Sequence, residues 1–134
     1  MPANPLNRFI DFLTQHIHGL YGIYLYGSRA NDRQKKDSDW DIAFLGSHSI
    51  SAEELWEIKT EMEARFNTDI DLIDLTVAST VLKAEVLRTG KLAYNTDQKK
   101  IAGFEYLTLS YYQKLNEERA GILRDIKESG SIYG

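Results

Sequence analysis

The 134-residue chain contains no cysteine. Disulfide stapling, thiolate catalysis and cysteine-ligated zinc or iron–sulfur centres are therefore excluded, and a reducing, cytoplasmic setting is expected. Long hydrophobic runs are missing as well. The longest mostly apolar stretch, residues 19–27, falls far short of the ~20 residues that span a bilayer, so a soluble protein is expected. Near the N-terminus Asp11 and Gln15 break the apolar pattern and no small-residue cleavage site follows, which predicts a helix face and not an export signal. A basic surplus is also absent. Sixteen Lys and Arg stand against twenty Asp and Glu, a net charge of −4, which argues against a protein that grips nucleic acid through an overall basic surface. No repeat, linker or low-complexity tract is visible. With 43% hydrophobic and 27% charged residues the chain should build one ordinary core, and at roughly 150 residues per domain there is room for only one.

Asn4 and Pro5 suit a helix start, and Leu6, Phe9, Ile10, Leu13 and Ile17 recur at helical spacing up to Gly19. Residues 21–26 are aromatic and β-branched and read as a buried strand that stops in a turn at Gly27-Ser28. After a polar stretch, residues 39–45 alternate: Trp40, Ile42 and Phe44 on one face, Asp39, Asp41, Ala43 and Leu45 on the other. Ser51 and Glu54 form a capping box before a helix striped by Leu55, Ile58, Met62 and Phe66. Residues 68–75 predict a third strand with Asp69 and Asp71 on one face, opposite Ile70 and Leu72. A short helix over residues 79–89, closed by Gly90, and a short strand over 92–94 follow. Residues 97–128 carry one long helical pattern through Ile101, Phe104, Tyr111, Leu115, Ile122 and Ile126, interrupted by Gly103 and Gly121.

The chemistry is concentrated in one order of elements: strand, Gly27-Ser28 turn, ten polar residues, Asp39-Trp40-Asp41, helix, Asp71-bearing strand. Alternate strand residues point the same way ~6.6 Å apart, so Asp39 and Asp41 converge on a volume where their repulsion calls for a cation. Hard oxygen ligands completed by water and phosphate favour Mg²⁺, which in turn implies a nucleotide. Asp71 supplies a third carboxylate, either bridging a second metal or taking the proton of an attacking hydroxyl; Asp69 is its rival, and Asp74 points to the other face. Gly27 permits close backbone approach and Ser28 offers a hydroxyl and an amide to phosphate oxygens. Arg29, Arg33, Lys35 and Lys36 against Asp32 and Asp37 make the adjoining loop locally basic, and Arg29 is the cation carried forward for the triphosphate. A solvated strand face is the ordinary fate of alternating carboxylates, but here the turn and the third acidic strand accompany them. His16, His18 and His48 lie at no metal-ligand spacing, and Trp40 and Trp56 read as packing residues.

Leu25-Tyr26-Gly27-Ser28-Arg29-Ala30, the spacer, Ser38-Asp39-Trp40-Asp41-Ile42 and Ile70-Asp71-Leu72 resemble the minimal nucleotidyltransferases of the DNA polymerase β superfamily. The resemblance covers residues 21–95 and includes Arg88-Thr89-Gly90-Lys91-Leu92-Ala93-Tyr94; it departs at Asn31-Asp32, where the family often has Arg-Gly. It implies an α/β (α+β) nucleotidyltransferase fold, a small mixed sheet flanked by helices, over residues 1–96, with residues 97–134 as a long C-terminal helix that packs on it or on a partner. More narrowly, the size, acidity and terminal helix look like the antitoxins of HEPN/MNT toxin–antitoxin modules. That resemblance implies transfer of AMP from ATP, with two Mg²⁺ held by Asp39, Asp41 and Asp71, to a tyrosine of a HEPN-family ribonuclease toxin, and a hetero-oligomer with that toxin. The competing readings are a non-catalytic antitoxin that acts by occlusion and a small-molecule nucleotidyltransferase.

Overall fold

Period-two patterning in the strands and 3.6-residue stripes in the helices are satisfied by a sheet with helices on both faces. The computed structural model describes residues 5–27 and 40–129. The elements run α1 (Pro5–His16), β1 (Leu20–Tyr26), β2 (Trp40–Gly46), α2 (Ala52–Phe66), β3 (Ile70–Asp74), α3 (Thr80–Thr89), β4 (Lys91–Asn95) and α4 (Gln98–Ser129). They match the sequence-predicted elements in order and type. Asn4, the expected N-cap of α1, lies outside the described residues.

The strands form one mixed sheet in the order β3-β2-β1-β4. β1 pairs antiparallel with both β2 and β4, and β2 pairs parallel with β3, which the α2 crossover permits. One core lies on the face covered by α1 and α2, where Phe9, Phe12, Leu13, Ile58 and Met62 pack on Ile23, Ile42 and Phe44. Phe9 meets Trp40 and Phe66 edge to face at 5.0 Å. The second core lies on the other face, where Val86, Ile101 and Phe104 pack against Tyr24, Ala43 and Leu45. Burial of the apolar side chains in these two layers at ~25 cal/mol per Å² is the main force holding the sheet between its helices.

Local signals set the boundaries. Ser51 accepts from Glu54 N–H at 3.0 Å and Ser79 from Leu82 N–H at 3.1 Å, each satisfying a free amide of the first turn. Asn67 closes α2 in the left-handed conformation at φ 50°. Two expectations need correction. Gly103 and Gly121 do not interrupt α4, which runs through both; a helical glycine costs only about 1 kcal/mol, too little to end a 32-residue helix. Trp56 is 64% exposed and is not a packing residue, because it sits ~200° around α2 from the buried Ile58. Among the described residues no helix is long and apolar enough to cross a membrane.

Candidate active site

The sheet twists its acidic residues to one uncovered corner. α3 and α4 cover the β1–β4 side of their face, and the β2–β3 side of that face carries Asp41 and Asp71. In the parallel ladder Asp41 is the register partner of Asp71, and Trp40 N–H donates to the Asp69 carbonyl at 3.0 Å to fix that register. In-register residues on neighbouring strands point the same way about 4.8 Å apart, so the structure brings these two carboxylates side by side. Their pairing is a consequence of the Ile42–Leu72 and Trp40–Ile70 matches beneath them, which bury apolar side chains on the opposite face.

Asp69 immediately precedes β3 and lines the same cleft, of about 410 Å³, with Asp41, Asp71, Lys59, Glu63 and Ile70. It is not in the Asp41–Asp71 rung. Asp74, expected on the other face, is buried there and accepts from Ile50 N–H at 3.1 Å and Thr76 N–H at 2.9 Å, a structural use of its carboxylate. Asp39, Ser28 and Arg29, and with them the basic loop, lie outside the described residues.

Gly27 ends β1 at φ +73°, a conformation that glycine adopts without strain. A Cβ at this position would collide with Asp41 Oδ2. The turn glycine therefore makes room for the carboxylate itself. Sequence spacing linked Gly27 to the Asp-x-Asp strand, and the contact supplies the reason: β1 and β2 are antiparallel neighbours, so the end of one meets the start of the other.

Three residues at the corner escaped sequence reasoning. Glu63 on α2 accepts the Ile70 amide at 3.0 Å, anchoring the start of β3, and pairs with Lys59 at 3.3 Å. Their i, i+4 spacing was legible, but not the side of α2 that meets the cleft. Tyr26 precedes Gly27, and its hydroxyl donates to Asp71 Oδ2 at 3.2 Å. Burial, followed by the negative charges of Asp71 and Asp41, pushes the Tyr26 pKa up, so the hydroxyl stays protonated and acts as a donor.

Four carboxylates and one ammonium among the lining residues suit a hard cation with oxygen ligands. Among the described residues no group of three His, Asp or Glu side chains is close enough to hold a metal. Asp41 and Asp71 offer two such ligands, and a set of three would draw its remaining one from outside the described residues.

Residues 7–99 match the polymerase β nucleotidyltransferase family, and the chain belongs to that family. It is 37% identical over 120 residues, 90% of this chain and 86% of the relative, to the protein adenylyltransferase MntA of Shewanella oneidensis. Among solved structures it is similar to a toxin–antitoxin chain crystallised with AMP-PNP, at a TM-score of 0.81 and 36% identity over 90% of this chain and 97% of that one. It is also similar, at a TM-score of 0.75 and 35% identity over 90% and 94% of the two chains, to one in a complex of a tri-AMPylated Shewanella oneidensis HEPN toxin with its MNT antitoxin.

Proposed function

We propose that the chain is a protein adenylyltransferase antitoxin that transfers AMP from ATP to a tyrosine hydroxyl of a HEPN-family ribonuclease toxin, releasing pyrophosphate and silencing the toxin. The observation that carries this reading is the Asp41–Asp71 rung, set beside Gly27 at an uncovered corner of the sheet. The toxin–antitoxin relatives support the protein acceptor.

In this reading Asp39, Asp41 and Asp71 would hold two Mg²⁺, which would supply neutralisation of the charge on the triphosphate. Gly27 lets the chain approach the triphosphate closely, Ser28 donates to its oxygens and Arg29 pairs with its charge. Asp71 accepts the proton of the attacking tyrosine hydroxyl. The tyrosine oxygen forms a bond to the α-phosphorus, the bond from that phosphorus to the bridging oxygen breaks, and pyrophosphate leaves with the electron pair. Positioning supplies much of the acceleration, because holding the nucleophile in line turns a two-body encounter into a one-body step. Residues 97–134 serve the partner: the first half of α4 packs on β1 and α3, and beyond it Ile122 and Leu123 stand exposed as a docking surface.

The test is incubation of the chain with its HEPN partner and Mg-ATP, read by intact mass. AMP-sized increments on the toxin are expected with the wild type and none with an Asp39→Ala, Asp41→Ala double variant. Modification that survives in the double variant would sink the assignment.

A further inference from the structure

We propose that Tyr26 is a positioning residue for the transfer step, its hydroxyl holding one oxygen of the Asp71 carboxylate so that the other faces the reacting groups. The proposal rests on the adenylyltransferase reading of the site. Its basis is a row across three strands: Tyr26 is the register partner of Asp41, and Asp41 of Asp71. β1 and β3 are not neighbours, so their backbones lie about 9.6 Å apart, twice the strand spacing. A side chain from β1 must reach past β2 to touch Asp71, and the Tyr26 hydroxyl does so at 3.2 Å. Phenylalanine would fill the same space without completing the contact.

Asp71 needs such a support. It is exposed, on the short outer strand β3, and its carboxylate can rotate freely unless something holds it. A Lys or Arg could hold it too, but a positive charge there would compete with the cations that the carboxylates attract. A neutral, buried hydroxyl fixes the orientation without that conflict. Tyr26 is 8% exposed, and its ring is packed in the second core, so the donor itself is rigid.

A matched control exists on the same strand. Tyr24 points to the same face, is also buried and donates to Glu105 Oε2 on α4 at 2.8 Å, away from the carboxylate rung. Tyr24→Phe and Tyr26→Phe therefore remove comparable bonds, and only one of them touches the site.

With the toxin and Mg-ATP, Tyr26→Phe should lower kcat roughly tenfold or more, because a small misplacement of a reacting group is costly, while the KM for ATP changes less than about threefold. Tyr24→Phe should keep kcat within about twofold at a similar melting temperature. A readout independent of turnover is the ¹³Cζ resonance of Tyr26 in tyrosine-labelled protein. It should move in Asp71→Asn and hold still in Asp69→Asn. Equal kcat for the two Tyr→Phe variants, or a Tyr26 resonance indifferent to Asp71→Asn, overturns the positioning role alone. A wild type that modifies no toxin overturns the adenylyltransferase reading and the proposal with it.

Discussion

The two faces of the sheet are built from the same strands and do different work. On the α1–α2 face every second residue of β2, Trp40, Ile42 and Phe44, is buried under aromatic and aliphatic side chains. On the opposite face the intervening residues begin with Asp41, and the helices stop short of it. A covered face stores stability; a half-covered one leaves polar groups close together and reachable. Because successive strand residues alternate, one seven-residue strand carries both without compromise.

Substitutions that probe each face should separate stability from activity. The largest effect is expected from Phe44→Ala, which empties a fully buried position and should cost about 3–5 kcal/mol of stability in a denaturant titration. A loss under 1 kcal/mol would break the contrast between the faces. Next, Asp41→Ala should reduce AMP transfer at least about a hundredfold, equivalent to ~2.7 kcal/mol, with a stability change much smaller than that of Phe44→Ala because no large apolar side chain is removed from the core. A stability loss matching that of Phe44→Ala would make Asp41 a structural residue. Gly27→Ala should do some of both, since it strains a left-handed backbone and pushes on Asp41, costing about 1–2 kcal/mol of stability together with activity. If only one of the two falls, the glycine does not join turn and carboxylate.

The smallest effect concerns pH. Burial, then the hydrogen bond to Glu105 and its charge, raises the Tyr24 pKa in the folded state above the ordinary 10.0. The unfolded chain therefore loses this proton first, so its contribution to stability is complete below pH 10 and declines as pH rises beyond it. Melting temperature should fall above pH 10, less steeply in Tyr24→Phe. Parallel curves for the two proteins would show that Tyr24 ionises as readily in the folded state.

Much of this molecule is readable along the chain. The stripe Phe9, Leu13 and Ile17, the Ser51 cap and the alternation through Phe44 each depend on neighbours within a few residues, and each appears where it was expected. Gly27 and Asp41 were linked by spacing alone. The misread positions are those where a residue's type was weighed without its angle: Trp56 looked like a core residue, yet stands on the outer side of α2. Asp69 and Asp71 could not be separated by alternation, because both fall on the same side of one strand pattern.

The sequence by itself determined the elements, their order, and which strands bear acidic residues, because caps, turns and periodicity act over one or two turns of chain. Only the tertiary structure decided which of those residues meet. Register across β1, β2 and β3 is set by how two apolar layers close on the sheet, and that closure places the Tyr26 hydroxyl against Asp71, 45 positions away, and leaves Asp69 outside the rung.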